Sequence, residues 1–543
     1  MATDEDAIRE GSEREMGERD NVPILAQYDF RTKQNYIFRT NKMREIVGAS
    51  ALITCIYDLF IRTLDTTHEL KIEKNYTFPE LSSALEGWRY SVNRFIDLKY
   101  VNHADVVFDP SFEGSDVSGK VLYVGGGNLY MLWRDMETAK RANGILSELL
   151  RNEAYSLFPA CGMTEYTGNY AEDFHALAVA FQRSKTELPP FAPMAVLPFT
   201  RVDRKTSFPV ALHVTEYGHE EFLPLECGLK RAVSDKRIVV MDEDPLGVKE
   251  LDDMTIKGTD SLLAVIHIDG NNMGERVSRT MNASGHVLSY PEAIQRIREF
   301  SNGIQENFVT NPLEDVSKWL RDHAKKARII VAGGDDVTLI CAARDARKIL
   351  EVYFEALNAG NADRTSGDIN TACAGVCIFH SHSPFAMAYD IAEACCGTAK
   401  KQNRKNGGQN MLMDFQFCFS GITGDLDTIR ETDAHLMSRP YSFNAEGEQS
   451  ILPFETLAKM ANALKPVGRE DSNSRRSVIK QLSALLLMRK DVAFDLEIRR
   501  LEAASGGAFK ADLPMLKRVI FDLAQVYDIW FTEEGKPNEQ HTA

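Results

Sequence analysis

The sequence predicts an α+β fold, two related ferredoxin-like units followed by a C-terminal helical domain, on three observations. The first is residues 328–341, Arg-Ile-Ile-Val-Ala-Gly-Gly-Asp-Asp-Val-Thr-Leu-Ile-Cys, where two apolar, β-branched runs flank Gly333, Gly334, Asp335 and Asp336. That is how a strand, a tight turn and a returning strand read in sequence. The second is the near-continuous apolar run 262–268, which stops in Asp269-Gly270-Asn271-Asn272-Met273-Gly274. A buried central strand of this kind delivers one carboxylate at its carboxyl end. The third is residues 121–133, Val-Leu-Tyr-Val-Gly-Gly-Gly-Asn-Leu-Tyr-Met-Leu-Trp, which repeat the hairpin with Gly127 and Asn128 where the later copy has its aspartates. Asp29, ending its own apolar run, takes the place of Asp269, so the chain reads as an internal duplication whose first copy lost its carboxylate pair.

Bulk properties bound the function. A chain of 543 residues exceeds one core and predicts about three or four domains. Its 44% apolar and 26% charged residues are those of a globular protein. No apolar run approaches the roughly 18 residues of a membrane span, and the first twenty residues carry no hydrophobic signal core, so a cytoplasmic protein without a membrane partner is expected. Nine cysteines without a Cys-x-x-Cys give neither a disulfide framework nor a zinc ribbon. A net charge of −16 argues against broad coating of nucleic acid, which needs Lys and Arg.

In chain order, residues 1–20 hold eight acidic and three basic side chains and read as a disordered tail. A first, degenerate domain spans 21–187. It opens with a strand or hairpin over 24–38 and a helix over 41–64 with Asn41 as N-cap, and it closes with helices over 136–150 and 171–183. Gly48-Ala49-Ser50 inside the long helix reads as a close packing contact. The Pro-rich stretch 188–193 marks a boundary, and 188–257 reads as an irregular linker or insert whose His213, His219 and Cys227 fit no zinc spacing. The second domain spans 258–420. Its strands and helices contain β-α-β-β-α-β, the ferredoxin-like order, with Asp269 and the hairpin on adjacent central strands. Residues 421–532 read as helical, with stripes Leu457/Met460/Leu464, Val478/Leu482/Leu485 and Leu516/Val519/Leu523/Val526; 533–543 is a polar tail.

Three carboxylates, Asp269, Asp335 and Asp336, meeting beside backbone amides at a sheet edge suit two magnesium or manganese ions and a nucleoside triphosphate. Magnesium takes one or two carboxylates and fills its shell with phosphate oxygens. Paired ions about 3.5–4 Å apart activate a hydroxyl and stabilise a leaving pyrophosphate. Asp-rich turns are common, so it is the upstream Asp269 that gives the tetrad its weight. Lys400, Lys401, Arg404 and Lys405 gather at the end of the 384–400 helix, where Lys400 and Arg404 are candidate phosphate ligands; Gly270, Asn271, Asn272, Gly274, Gly333 and Gly334 are candidate nucleotide contacts.

These residues resemble a known family. Residues 269–274, the 333–336 hairpin and Ala374-Gly375-Val376 leading through Pro384 to Ala399-Lys400 resemble the second palm domain of the large subunit of type III CRISPR effector complexes. Lys33-Gln34-Asn35-Tyr36-Ile37-Phe38, Asn41-Lys42-Met43-Arg44-Glu45 and Gly48-Ala49-Ser50 resemble the start of that family's first palm, and 125–128 its inactive hairpin. The resemblance implies a polymerase- or cyclase-like palm fold, conversion of ATP into cyclic oligoadenylate messengers for antiviral defence, Asp269, Asp335 and Asp336 as metal ligands, nucleotides between the palms, and guide RNA and other effector subunits as partners. No His-Asp dipeptide occurs, so DNA cleavage by the family's HD nuclease route is not expected. Asn271 stands where the family commonly has a second acid, which puts one metal site in question. A non-catalytic scaffold is the alternative from another class. A diguanylate-cyclase relative ranks third, because Val337 stands where GGDEF enzymes have an aromatic.

Overall fold

The computed structural model describes residues 22–73, 76–77, 101–125, 127–187, 199–216, 218–240, 246, 248, 251–256, 260–282, 288–362, 364, 369–418, 424–444, 451–464, 472–504 and 512–532. The expected tails at 1–20 and 533–543 and the Pro-rich boundary at 188–193 lie outside these residues. The chain divides into two compact units: Met1–Glu250 with Asn272–Thr310 and Ile329–Asp335, and Leu251–Asn271 with Asn311–Arg328 and Asp336–Ala543.

In the first unit, β1 (Ile24–Arg31) is followed by a short helix α1 (Lys33–Ile37) and the long helix α2 (Met43–Thr67). The expected second strand at 35–38 is therefore a helix. Thr32 turns the chain through a left-handed φ of 52°, and Tyr36 and Phe38 donate back to Thr32 and Gln34. The residue before α2 is Lys42, without a side-chain cap, and not Asn41. Then come β2 (Gly119–Gly125), β3 (Asn128–Trp133), α3 (Met136–Glu153), β4 (Phe158–Glu165) and α4 (Tyr170–Glu187). The sheet runs β2-β3-β1-β4, antiparallel throughout, with Ile72–Glu73 beyond β2. This is the ferredoxin-like arrangement.

Part of the segment expected to be irregular is ordered. It forms a hairpin, β5 (Leu212–Glu216) with β6 (His219–Leu223), and a helix α5 (Leu225–Val240). Helix α5 packs on α2 at Gly48, where a Cβ would lie 1.8 Å from the Lys230 carbonyl oxygen. Buried charges lock the contact. Lys230 donates to Glu226 at 3.0 Å, Glu226 also accepts from the backbone and hydroxyl of Ser156, and Arg231 donates to Glu45 and Glu221. Such a network holds only when every member is paired, and that long-range pairing leaves no periodic signature for sequence reading to catch.

The second half opens with β7 (Leu262–Gly270), then α6 (Met273–Asn282), α7 (Tyr290–Ile304), the π-turn Gln305–Thr310 and α8 (Asn311–Asp322). Next, β8 (Ala327–Gly333) enters β9 (Asp336–Ala342) through a two-residue turn, followed by α9 (Ala346–Ala359), β10 (Ala372–His380), α10 (Phe385–Lys405) and β11 (Leu412–Cys418). Within the second unit the sheet runs β9-β7-β10-β11. It continues into two short strands, β12 (Tyr441–Ser442) and β13 (Leu452–Pro453), inside the region expected to be wholly helical. The order of elements again follows β-α-β-β-α-β. The longer helices that follow are α11 (Glu455–Ala463), α12 (Ser472–Leu487), α13 (Asp491–Ala504) and α14 (Leu513–Val526). Their core is Ile479, Leu482, Leu486, Leu516, Val519, Leu523 and Val526, so the α12 stripe lies one residue on from the expected Val478 and Leu485. A fully buried pair, Arg439–Asp522 at 3.1 Å, ties this segment to the sheet, with the Tyr441 hydroxyl donating to the same carboxylate at 2.8 Å.

Helix α10 reaches the sheet at Gly375, whose added Cβ would lie 1.8 Å from the Ala392 carbonyl oxygen and 2.4 Å from the Cys396 nitrogen. Gly375→Val should therefore cost about 3 kcal/mol or more in urea unfolding, because the clash is with backbone that cannot turn aside. Gly397→Ala, on the same helix with open space where its Cβ would stand, should gain about 0.5–1 kcal/mol.

Candidate functional site

β7 ends in His-Ile-Asp-Gly, and strand alternation sets His267 and Asp269 on one face. β9 begins at Asp336. The antiparallel register places Asp336 opposite Asp269 and Thr338 opposite His267, so two apolar strands present four polar side chains side by side. Helix α10 covers this face. The Tyr389 ring meets that of His267 edge-on with centroids 5.5 Å apart, and Lys400 Nζ lies 2.5 Å from Asp269 Oδ2.

The imidazole of His267 is buried, with Nδ1 3.0 Å from Thr338 Oγ1 and 3.4 Å from Asp336 Oδ1. Burial pushes its pKa below the ordinary value, against the opposing pull of Asp269 and Glu393. Burial thus favours a neutral ring beside Asp336 that adds no charge. The nearby thiols are inert for the same reason: burial pushes Cys373 up to about 11 and raises Cys396. The charged part of the face is thus two carboxylates and one ammonium.

The other expected residues divide between the units, which part at 271/272 and 335/336. Gly270 is buried and closes β7 opposite Ala372. Asn271 is buried as well, and its amide donates to Thr371 Oγ1 at 3.0 Å and the Asn410 carbonyl at 3.1 Å. Both of its donors are engaged, so its side-chain amide braces the loop instead of donating to a nucleotide. Asn272 has a left-handed φ of 56°, and Gly274 stands in the first turn of α6 with open space where a Cβ would be. Gly333 is exposed; Gly334 takes a left-handed φ of 65° and donates its N–H to Gln305 Oε1 at 3.1 Å. Asp335 is partly buried in the turn, outside the β7–β9 ladder. Arg404 is exposed one turn beyond Lys400.

Among the described residues, no three His, Cys, Asp or Glu side chains gather into a group that could hold a metal ion. The antiparallel ladder aligns Asp269 with Asp336, and Asp335 precedes that ladder in the turn. The donor set still fits a divalent cation, since magnesium needs one or two carboxylates when phosphate oxygens complete its shell. The Lys400 ammonium already sits on Asp269 as a stand-in cation.

The first copy repeats this frame with different chemistry. Its register pairs Tyr28 with Leu129, as the second pairs Ile268 with Val337, so Asp29 and Asn128 take the places of Asp269 and Asp336. Gln27 and Tyr130 replace His267 and Thr338, and Tyr130 stacks on Tyr123 and Phe174. Asp29 accepts from Lys185 at 3.0 Å, pairs with Lys33, and accepts from the Phe30 N–H at 2.7 Å.

His267 and Thr338 escaped the sequence reading, although the two-residue period before Asp269 and after Asp336 points at both. Gln305 carries no such signal, as it reaches Gly334 from a turn 29 residues upstream.

A doubled ferredoxin-like frame with an acidic register pair under a lysine-bearing helix defines a palm-domain protein. Residues 262–408 match the family model described as Cas10/Cmr2, second palm domain. Over these residues the chain is similar to a Cas10-like second palm domain. Among solved structures it is similar to the Csm1–Csm4 subcomplex in the type III-A CRISPR-Csm interference complex, at 15% identity and a TM-score of 0.50 over 93% of this chain and 70% of that one. It is also similar to the Csm1–Csm4 cassette in complex with cA4, at 14% identity, a TM-score of 0.48 and the same coverage. Csm1 in T. onnurineus matches at 14% identity and a TM-score of 0.47, again over 93% and 70%. No curated protein matches the chain.

Like charges directly opposed across two strands oppose folding. Asp336→Asn should raise stability by about 0.2–1 kcal/mol in metal-free buffer. The gain, read by urea unfolding, should shrink with added salt, because both carboxylates are more than a third exposed.

Proposed function

We propose that this chain is a metal-dependent nucleotidyltransferase that joins nucleoside triphosphates into cyclic oligonucleotides, with cyclic oligoadenylate from ATP as product, in type III CRISPR defence. The observation that carries this reading is the Asp269–Asp336 register pair with Lys400 beside it. Asp269 and Asp336 would hold the divalent cation, magnesium or manganese, with Asp335 contributing from the turn. When bound, that cation lowers the barrier to attack of a 3′ hydroxyl on an α-phosphorus and offsets charge on the leaving pyrophosphate. The chain's own residues do the positioning. Thr338 holds His267 beside Asp336, Gln305 fixes the backbone of Gly334, and Lys400 and Arg404 supply positive charge for phosphate oxygens.

The similar solved structures include Csm1–Csm4 cassettes in complex with AMPPNP, cA3 and cA4. In line with these we propose ATP as ligand, with other effector-complex subunits and guide RNA as partners, in the cytoplasm. One observation favours a second reading, a catalytically inactive scaffold subunit: the described residues hold a carboxylate pair and no ready cluster of three.

The test is incubation with labelled ATP and magnesium or manganese, alone and with cellular RNA. Pyrophosphate release should fall by at least about 100-fold in Asp269→Ala and in Asp336→Ala, roughly 2.7 kcal/mol of barrier. Wild-type protein that turns over no nucleotide under any of these conditions would favour the scaffold.

A further inference from the structure

The two copies place a lysine on the strand-end aspartate in the same way. Lys185 in α4 and Lys400 in α10 are each the sixteenth residue of their helix, 185 − 170 and 400 − 385 both being fifteen. Each reaches the carboxylate that ends the central strand, at 3.0 Å on Asp29 and 2.5 Å on Asp269. The charge around the two pairs differs. In the first copy Lys33 takes the other oxygen of Asp29, and Asn128 stands in the register place of a second acid. One carboxylate and two ammoniums leave a net +1. In the second copy Asp336 stands opposite Asp269 and Lys400 pairs with Asp269, so these two carboxylates and one ammonium sum to −1. The first arrangement rejects a cation outright; the second admits one only if Lys400 lets go of Asp269.

We propose that Lys400 is a tethered cation that holds the Asp269 carboxylate until a triphosphate draws the ammonium away, so that a divalent cation and Lys400 compete for Asp269 and nucleotide relieves the competition. The inference rests on the nucleotidyltransferase reading above. The geometry suits an exchange: Lys400 is 20% and Asp269 36% exposed, so the pair borders solvent and is not sealed in the core. An ion pair that water reaches can be displaced by a polyphosphate that offers several oxygens in place of two. Lys400 is then a positioning residue for Asp269 in the free protein and a phosphate partner in the loaded one. The order of events follows: nucleotide arrives first or together with its cation, and the bare protein holds the cation poorly. In the first copy the extra lysine keeps Asp29 engaged on both oxygens.

The experiment is a manganese titration of the full chain followed by electron paramagnetic resonance, with and without a non-hydrolysable ATP analogue. It compares wild type, Lys400→Met, Lys400→Arg and Asp336→Asn, each first checked by thermal unfolding. Without analogue, Lys400→Met should bind manganese at least about fivefold more tightly than wild type, since a nearby positive charge has been removed. Lys400→Arg should stay as weak as wild type. Analogue should tighten manganese binding to wild type by about tenfold and to Lys400→Met by much less. Asp336→Asn should weaken it in every condition. Equal manganese affinity of wild type and Lys400→Met without analogue would overturn the proposal while leaving the enzymatic reading intact. No manganese binding by any variant, even with analogue, would instead remove the reading beneath it.

Discussion

The arrangement depends on one register: Asp269 at the end of β7 directly opposite Asp336 at the start of β9. A slip of one residue would turn every side chain of a strand to the other face. Here both faces of β7 are buried over most of its length, so a slip would also misplace a continuous core. The register is thus fixed by hydrophobic burial far larger than the repulsion it imposes on two carboxylates. Gly375 lies opposite His267 on the neighbouring strand and lets α10 close against the sheet. That closure fixes where Lys400 begins. One missing side chain thereby determines whether a four-carbon stem can reach Asp269 at all.

The duplicated frame serves as an internal control. Both copies share strand order, register and the helix position of the lysine, so the backbone alone does not specify chemistry. What differs is a handful of side chains: Gln27 for His267, Tyr130 for Thr338, Asn128 for Asp336, with Lys33 added. The first copy fills its face with packed rings, Tyr123 stacked on Tyr130 at 4.3 Å and Tyr170 tilted against Phe174 at 4.2 Å. An aromatic face gains burial where a polar one would need partners for every donor and acceptor. The loss of the second carboxylate in the first copy therefore favours stability, and the retained carboxylate pair in the second opposes it.

The sequence made the strongly patterned parts legible. The apolar run before Asp269, the glycine hairpin and its carboxylate-free echo all carry local signals, and the structure places them as adjacent strands in two ferredoxin-like orders. Residues 35–38 misled because Asn-Tyr-Ile-Phe suits a strand by composition, whereas Thr32 in a left-handed turn folds the chain back into a helix. The stretch 212–240 was illegible because its order comes from partners as distant as Glu45 and Ser156. Within the site, His267 and Thr338 were readable from the two-residue period. Gln305, and the engagement of both Asn271 amide donors, became visible only once remote elements met.

The charges of the second unit fall into two classes, and the difference bears on where the molecule can respond to a ligand. Arg439 and Asp522 are fully buried, and Asp414 is fully buried against Arg430, which forks onto both of its oxygens at 2.8 and 2.9 Å. Separating either pair would strand an ion in a medium that cannot solvate it, at a cost of several kcal/mol. These pairs hold the helical segment and the sheet as one body. Lys400 and Asp269 lie where water reaches both, and water can replace each partner as they part. An anion arriving at the end of β7 can therefore exchange partners with Lys400 at little cost, while the same anion has no purchase on the pairs behind the sheet. Uneven access of water thus leaves the pair at the strand end open to exchange and the two pairs behind the sheet closed to it.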